Sequence, residues 1–342
     1  MRHVVSRTSV VAPALTAFCL VASCVGSTST SFAASDSAFI RGPIAIAVAG
    51  NHVWVANSSG DSVDEIDASS GSLVRVVNSQ TDELYRPVAM VLRGEHVWVT
   101  DLGDNEVTEL NTSDGSLARV IRAESDQLFK PVAITVSGGV VLSANYDGDS
   151  VTEFNVSNGA LVRIIADTHD ELFSPDAIVS AGDRVWVANS EHNEVAELNA
   201  SNGSLVRVLR GERYDFSDPD AIATGGDHVW VVNAGNGSIT EFASANGAPV
   251  RVVRASQDEF DGPDAIATGD GRVWVANSRG DTVTELRATD GSLVRVIGAA
   301  SDRFDDPAGV AVGGDHVWVT NLDGNTVTEL DGETGSLVRV IQ

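Results

Sequence analysis

The segment PDAIATGDGRVWVANSRGDTVTELRATDGSLVRVI (Pro263–Ile297) governs the architecture of the chain, because the residues from Ser35 onward repeat it with small edits. The proline that opens it recurs every 44 residues without insertion or deletion, at Pro43, Pro87, Pro131, Pro175, Pro219, Pro263 and Pro307. Seven copies of a unit of this length predict one closed repeat architecture rather than several independent domains.

Each copy reads as four short strands separated by turns. In the copy that begins at Pro263, we predict strands over 264–268, 272–276, 282–286 and 293–297. The last turn contains Asp290 and Gly291, and every copy has glycine at the second of these positions. Glycine adopts the positive φ of a four-residue hairpin turn at no steric cost. Seven units of four antiparallel strands predict an all-β fold, a seven-bladed β-propeller.

The boundaries of the repeat indicate that the ring closes. Residues 35–342 equal seven repeats in length, but the last copy stops eight residues short of a full period. The residues from Ser35 to Gly42 supply the missing part, and Ile40 then matches Leu84 and Phe260 of other copies. We therefore assign 35–342 to one propeller domain. An open solenoid would instead need polar capping repeats at its ends.

The N-terminal 24 residues resemble a secretory signal. Arg2, His3 and Arg7 form a positively charged start, and the apolar stretch that follows, Val10–Val21, is too short to span a bilayer. Two cleavage patterns remain open: Val21–Cys24 resembles a lipobox with Cys24 as the lipidation site, and a signal peptidase can also cut near Ala33. Residues 25–34 form a Ser/Thr-rich linker. We expect an exported protein, lipid-anchored in the cell envelope or released to the periplasm or medium.

The composition restricts the partners of the folded part. The formal net charge is −26, and Cys19 and Cys24 are the only cysteines, so the repeats contain no disulfide. A strongly acidic surface repels nucleic acid and anionic membranes, so neither is an expected partner, and a membrane contact would run through the N-terminal lipid alone. Cations, basic partners or solubility alone would suit this charge. We expect a monomer.

Two recurring patterns are interpreted as structural. Six copies carry tryptophan in the second strand within a V-W-V context, which favours a core role over a sugar-binding surface. Glu285 and Arg295 stand symmetrically about the last hairpin turn, as do their counterparts in every copy. They are predicted to form a cross-strand ion pair. A glutamate repeated seven times does not indicate a catalytic acid.

Residues at which the copies differ are the candidates for a single site. The position after the proline is Asp176, Asp220 and Asp264 in three consecutive copies and apolar in the other four. These carboxylates can bind Ca²⁺ or another divalent cation at the channel mouth, or accept hydrogen bonds within their own turns. His169 and His192 lie in loops near the same mouth beside acids, and can act as ligands, as acid–base groups or as surface residues. Tyr85, Tyr146 and Tyr214 also break the repeat there.

The sequences VWVANSRGDTVTEL (Val273–Leu286) and SLVRVI (Ser292–Ile297) resemble the repeats of YVTN and NHL propellers, and the resemblance covers Ser35–Gln342. Streptogramin lyases are similar propellers with catalytic histidines and a glutamate, a pattern without a clear counterpart here. Gluconolactonase-like propellers hold a divalent metal through an aspartate that follows a proline. That resemblance implies metal-ligand roles for Asp176, Asp220 and Asp264.

These observations favour a non-enzymatic scaffold that binds a protein or small ligand at the channel-mouth face. The alternative is a metal-dependent hydrolase or lyase, related to lactonases or streptogramin lyases, in which the three aspartates and two histidines converge. A third possibility is a structural protein of the cell envelope without a small ligand. No nucleophile triad, zinc-protease motif or phosphate-binding loop is found in the sequence, so no catalytic residue is assigned.

Overall fold

The computed structural model describes residues 9–11, 39–78, 84–122, 128–166, 172–254, 259–298 and 304–342. Within these residues there is no helix, and seven four-stranded antiparallel sheets follow one another along the chain. Each sheet is one copy of the repeat and forms one blade. A short strand, β1 (Ser9–Val11), runs parallel to the inner strand of the fifth blade. The predicted all-β, seven-bladed propeller is therefore confirmed.

The strands of the first four blades follow in chain order. Blade 1 contains β2 (Pro43–Ala49), β3 (His52–Asn57), β4 (Ser62–Asp67) and β5 (Leu73–Asn78). Blade 2 contains β6 (Pro87–Arg93), β7 (His96–Asp101), β8 (Glu106–Asn111) and β9 (Leu117–Arg122). Blade 3 contains β10 (Pro131–Ser137), β11 (Val140–Asn145), β12 (Ser150–Asn155) and β13 (Leu161–Ala166). Blade 4 contains β14 (Pro175–Ala181), β15 (Arg184–Asn189), β16 (Glu194–Asn199) and β17 (Leu205–Leu209).

The remaining three blades repeat this arrangement. Blade 5 contains β18 (Pro219–Gly225), β19 (His228–Asn233), β20 (Ser238–Ala243) and β21 (Pro249–Arg254). Blade 6 contains β22 (Pro263–Gly269), β23 (Arg272–Asn277), β24 (Thr282–Arg287) and β25 (Leu293–Gly298). Blade 7 contains β26 (Pro307–Gly313), β27 (His316–Asn321), β28 (Thr326–Asp331) and β29 (Leu337–Ile341). We call the four strands of each blade A to D, from the inner strand outward.

The core lies between neighbouring blades and is built mainly from strands A, B and C. The tryptophan of strand B is at most 1% exposed in all six blades that have it, and Leu142 takes its place in blade 3. An aromatic side chain of this size buries about 150–250 Å², which makes it a large hydrophobic contribution in each blade. The predicted core role of the tryptophans is confirmed.

The ring closes where blade 7 meets blade 1. Ile40 is fully buried in a cluster that contains Trp318 and Ile341 of blade 7. The backbone N–H of Gly42 donates a 2.7 Å hydrogen bond to Asn325 Oδ1. The inner strands β2 and β26 pack side by side like every other neighbouring pair. Ile40 thus occupies the position that the sequence comparison assigned to it.

A buried glutamate in strand C ties each blade to the next. In blade 1, Glu65 is fully buried, and its Oε2 lies 2.7 Å from Arg75 Nε on strand D. Arg75 then donates a 3.3 Å hydrogen bond to the carbonyl of Ser113 in blade 2. The predicted cross-strand pairing is confirmed in register, and the arginine additionally bridges two blades. At the closure, Arg339 of blade 7 donates to the Ser69 carbonyl of blade 1 in the same way.

The repeat pattern predicts that the histidines at the start of strand B are surface residues on the face opposite the channel mouth. They lie on that face, but they also contact the buried glutamate of strand C. His228 Nδ1 lies 2.9 Å from Glu241 Oε1, and His316 Nδ1 lies 3.0 Å from Glu329 Oε1. His52 contacts Glu65 likewise. The reason is the two-residue period of a strand, which puts the first residue of strand B on the same side of the sheet as the glutamate of strand C.

Candidate binding face at the channel mouth

The turns between strands B and C and the segments that lead into strand A lie at the same end of the blades, because successive antiparallel strands alternate in direction. We call this end the mouth face. The opposite face carries the turns between strands A and B and between strands C and D. The mouth face contains the proline of each repeat and every site residue that the sequence predicted, as far as those residues are described.

Two residues per blade on the mouth face adopt left-handed backbone conformations. One precedes the proline, and the other ends the B–C turn. The first set is Gly42, Arg86, Lys130, Ser174, Asp218, Gly262 and Asp306, with φ between 49° and 64°. The second set is Asp61, Asn105, Asp149, Asn193, Gly237, Asp281 and Asn325, with φ between 45° and 62°. Asn, Asp and Gly are the residues that tolerate this region best, which explains the composition of the second set.

These two sets are joined by a hydrogen bond between adjacent blades. Asp61 Oδ1 accepts a 2.9 Å bond from the Arg86 N–H, and Asn193 Oδ1 accepts a 2.6 Å bond from the Asp218 N–H. Gly237 is the member of its set that has no side chain to make this bond. The contact holds the segment before each proline against the preceding blade and so gives the mouth face a rigid frame.

Asp176, Asp220 and Asp264 occupy equivalent positions in three adjacent inner strands. Each follows the proline at a β-bulge, so the residue has no direct partner in the ladder with strand B. Asp176 and Asp220 are fully buried, and Asp264 is nearly so. Each of the three engages a hydrogen-bonding or electrostatic partner.

The described residues contain no group of three or more His, Cys, Asp or Glu side chains arranged to hold a metal ion. The three aspartates therefore occupy equivalent positions in three blades, but their carboxylates do not come together as the ligands of one metal ion. The divalent-cation role of Asp176, Asp220 and Asp264 stays a prediction.

The two predicted histidines have different outcomes. His169, like Asp170, lies outside the described residues, and so does the lipidation candidate Cys24. His192 is exposed in the B–C turn of blade 4, where its ring stacks on Phe173 with centroids 4.4 Å apart and planes 6° from parallel. Glu191 beside it is also exposed. His192 thus forms part of an aromatic surface.

Phe173 belongs to an aromatic arc that sequence reasoning found only in part. Two residues before the proline, blades 2, 3 and 4 carry Tyr85, Phe129 and Phe173, which we call the aromatic arc. Tyr85 and Phe129 are each 47% exposed. The other four blades have polar residues at this position, namely Arg41, Ser217, Asp261 and Asp305. Alignment of the seven copies at the proline would have revealed this set, because it breaks the repeat in three consecutive blades.

Tyr146 and Lys130 extend the arc on blade 3. Lys130 Nζ lies 4.5 Å from the centroid of the Tyr146 ring and 3.2 Å from Asp147 Oδ1. Burial, together with the negative charges of Asp176 and Glu191, raises the pKa of Tyr146 to about 12. The phenol therefore remains a hydrogen-bond donor at any physiological pH. The single lysine of the chain is held against this ring by a cation–π contact.

Tyr214 breaks the repeat near the mouth and is therefore a candidate contact for a partner, but it does not join this surface. Its ring is buried and stacks on Phe216 with centroids 5.3 Å apart. Its hydroxyl donates a 2.8 Å hydrogen bond to the Gly247 carbonyl. The tyrosine lies in a D–A segment that folds inward on blade 5, so it serves packing.

Two buried carboxylates near the mouth were missed by sequence reasoning. Asp64 stands where five other blades have threonine, and Asp101 stands where the other six have asparagine. Both are fully buried. Burial raises the pKa of Asp64 to about 7, although hydrogen bonds with Asn57 and Ser62 act to lower it. Burial likewise raises the pKa of Asp101 well above its usual range, although Thr108 donates a 2.7 Å hydrogen bond to it.

Comparison with known proteins agrees with the fold. The family described as outer membrane protein assembly factor BamB matches residues 60–214. A streptogramin B lyase superposes with a TM-score of 0.73 at 16% identity, over 86% of this chain and 94% of that one. An inactive variant of virginiamycin B lyase from Staphylococcus aureus with quinupristin gives 0.74 at 16% identity, over 86% and 96%.

Hydrazine synthase from Kuenenia stuttgartiensis superposes with a TM-score of 0.71 at 16% identity, over 91% of this chain and all of that one. No curated protein matches the chain by sequence. Among the described residues, no helix is long and apolar enough to cross a membrane. At 16% identity, this structural likeness shows the fold alone, which is that of a seven-bladed β-propeller.

Proposed function

We propose that the chain is a non-enzymatic binding propeller whose mouth face recognises an exposed segment of a partner protein. The observation that carries the proposal is the aromatic arc of Tyr85, Phe129 and Phe173. Large aromatic side chains that remain exposed on a rigid surface are typical of the anchor positions of protein interfaces. The frame beneath them is rigid because each D–A segment is bonded to the preceding blade.

The charge of the molecule indicates the character of the partner segment. Aromatic and aliphatic side chains of the partner pack on the arc, and basic side chains are attracted by the acidic surface around it. The match to an outer membrane protein assembly factor supports a protein partner, and the matched residues 60–214 include all three members of the arc. A small ligand is the competing occupant of the same face.

The proposal is tested by crosslinking from the arc. A photoreactive phenylalanine at position 129 should capture a protein from the cell envelope, and the partner is then identified by mass spectrometry. The matched control is the same group at Leu293, an outer-strand residue that is 44% exposed and distant from the mouth face. Equal capture from both positions would reject the arc as a specific surface. Absence of any protein adduct would favour a small ligand.

A substitution series measures the contribution of the arc. Tyr85→Ser and Phe129→Ser each introduce serine. Blade 5 has serine at the equivalent position, Ser217, so the fold should tolerate both changes. Each should weaken binding of the captured segment by roughly tenfold or more, the usual effect of removing an aromatic anchor. Unchanged affinity in both variants would remove the arc from the interface.

The alternative of a metal-dependent hydrolase or lyase is supported by the fold likeness to streptogramin lyases and by the aspartates at the mouth. It requires Ca²⁺ or another divalent cation to bind Asp176, Asp220 and Asp264. Metal that binds only the folded protein raises its melting temperature. A calcium-induced rise that disappears in the triple alanine variant would revive this function and make lactones and streptogramins the first substrates to assay.

We also propose that the protein is exported, since residues 1–24 resemble a signal and the matching family is named for the outer membrane. Mass spectrometry of the mature N-terminus distinguishes the two processing routes. A diacylated Cys24 that is lost in Cys24→Ala indicates a lipoprotein. An unmodified N-terminus near Ala34 indicates conventional cleavage.

A further inference from the structure

The inner strand of each blade has one edge that faces the central channel. Strand A is bonded to strand B along its other edge, and it is the end strand in six of the seven described sheets. An edge strand presents N–H and C=O groups to which a further extended segment can bond, and this is a common mode of peptide recognition. The channel wall is therefore a set of strand edges that can accept another strand.

Blade 5 is the sheet in which the structure shows such a strand. β1 runs parallel to β18, with Ser9 opposite Ala221 and Val11 opposite Ala223. It also packs beside β14 and β22, the inner strands of blades 4 and 6. An extended backbone thus fits against blade 5 between its two neighbours. Either cleavage route proposed above removes β1, which would leave this edge to a partner in the mature protein.

The charges at the mouth point to the same three blades. Blades 4, 5 and 6 are those with Asp176, Asp220 and Asp264 after the proline, and Asp220 directly precedes Ala221. Because the pairing is parallel, a segment bound like β1 has the residue before its paired stretch at the level of Asp220. A basic side chain there would interact with carboxylates that water scarcely reaches. In the chain's own sequence, Arg7 stands two residues before β1 begins.

We propose that the channel binds an extended segment of the partner protein as a fifth strand of blade 5. The segment runs parallel to β18 and has a basic residue followed closely by uncharged β-branched residues such as valine. The basic side chain lies near the three aspartates, and the backbone of the β-branched stretch bonds to β18. This inference rests on the proposed function, because it describes the partner segment that the mouth face admits.

A peptide titration tests the channel edge directly. The mature protein, purified after export and with its N-terminus verified by mass spectrometry, is titrated with the acetylated and amidated peptide SRTSVVA, which is the sequence of residues 6–12. Calorimetry should show saturable binding. Amide hydrogen exchange should slow within Ala221–Ala223 and stay unchanged within Ala45–Ala47, the equivalent residues of blade 1. The unprocessed chain, in which β1 already covers this edge, should not bind the peptide.

Backbone methylation separates strand pairing from binding through side chains alone. Successive N–H groups of a strand point to opposite edges, so one of the N–H groups of Val10 and Val11 in the peptide is directed at β18. N-methylation at that position should weaken binding by roughly tenfold or more, because it removes a backbone hydrogen bond. If neither methylated peptide binds more weakly than the parent, the segment is not held as a strand.

A pair of protein variants tests the role of the aspartates. Asp220→Val with Asp264→Val introduces valine, which blades 2 and 3 have at this position, so folding should be retained. The variant should bind the peptide roughly tenfold more weakly, and it should have little further effect on a peptide with Arg7→Gln, because the two changes remove the same interaction. The control is Asp227→Asn with Asp315→Asn, which removes two exposed carboxylates from the opposite face and should leave the affinity unchanged.

The channel site is overturned if the unprocessed chain binds the peptide as tightly as the mature protein, or if protection appears equally on all inner strands. Additive effects of the peptide and protein changes would also reject the role of the aspartates. Capture of a protein from position 129 without peptide binding would overturn the channel site and leave the aromatic arc supported. Peptide binding without such capture would support the channel site and count against the arc.

Discussion

Asp64 and Asp101 show how a single residue can break a seven-fold pattern without disturbing the backbone. Each replaces a neutral residue of similar size at a buried position, and each keeps hydrogen bonds to side chains of its own blade. The consequence is chemical: a group that can ionise now lies where water is excluded, and burial raises its pKa.

The pKa of Asp64 leads to a prediction about pH. Because its pKa is raised in the folded state, the stability it contributes is fully present below the unfolded pKa of about 4 and is lost as the pH rises through about 7. Asp64→Asn cannot ionise, so it should be more stable than the parent at pH 8, by up to about 4 kcal/mol, and no more stable near pH 4. Urea unfolding at the two pH values measures the difference.

Asp67 on the same strand is the control for Asp64. Hydrogen bonds from Ser69 and Ser70 lower its pKa to about 2, so its contribution is present above pH 4 and is lost as the pH falls. Asp67→Asn should therefore not gain stability at pH 8. A gain of equal size in both variants would mean that general charge repulsion, and not burial of Asp64, sets the pH dependence.

At the scale of the element, the B–C turn and the segment before the proline act as one unit. A left-handed residue in each is held by a hydrogen bond across the blade boundary, as between Asn105 Oδ1 and the Lys130 N–H at 2.7 Å. This unit also sets the height at which the aromatic arc is presented. Blade 5 departs from it, because Gly237 has no side chain to accept the bond from Gly262.

Gly237→Asn should restore that bond and stabilise the protein by about 0.5–1.5 kcal/mol, through the new hydrogen bond and a less flexible unfolded chain. Its φ of 62° suits asparagine, and the added Cβ would lie 3.0 Å from the Phe260 carbonyl, a small adjustment. Thermal unfolding measures the gain. Gly237→Ala is the comparison, since it has the Cβ without the acceptor; equal effects of the two variants would show that the bond does not form.

At the scale of the molecule, the ring is closed by side chains and not by an exchanged strand. All four strands of blade 7 come from its own copy, and blade 1 is likewise complete. Closure depends on Ile40, on the bond between Gly42 and Asn325, and on Arg339 reaching the Ser69 carbonyl. Equivalent contacts occur at the other blade boundaries, except that Gly237 lacks the side chain that Asn325 supplies here, so the closing boundary has no special device.

Ile40→Ala should therefore destabilise the whole ring by about 2–5 kcal/mol, the usual effect of removing a large aliphatic side chain from a packed core. Denaturant unfolding followed by tryptophan fluorescence checks this value. The equivalent change Leu84→Ala, at the boundary of blades 1 and 2, should have a similar effect. A much smaller loss for Ile40→Ala would indicate that the ring tolerates an open boundary.

The repeat by itself determined the number of blades, the strands in each, the buried tryptophans and the pairing of Glu65 with Arg75. These features follow from a one-dimensional period: strand alternation and turn residues specify which side chains face inward and which lie opposite each other within one blade. The break in the repeat at Asp176, Asp220 and Asp264 was also visible in the sequence.

Only the tertiary structure decided which side chains of different blades meet. The Asp61 carboxylate on the Arg86 N–H and the Arg75 side chain on the carbonyl of the next blade both depend on how neighbouring blades pack. The sequence period gives the number of blades, but it does not specify which side chains come together where two blades pack. The burial of Asp64 could not be predicted from the sequence for the same reason. It depends on how the whole blade packs against its neighbours and not on the strand of Asp64 alone.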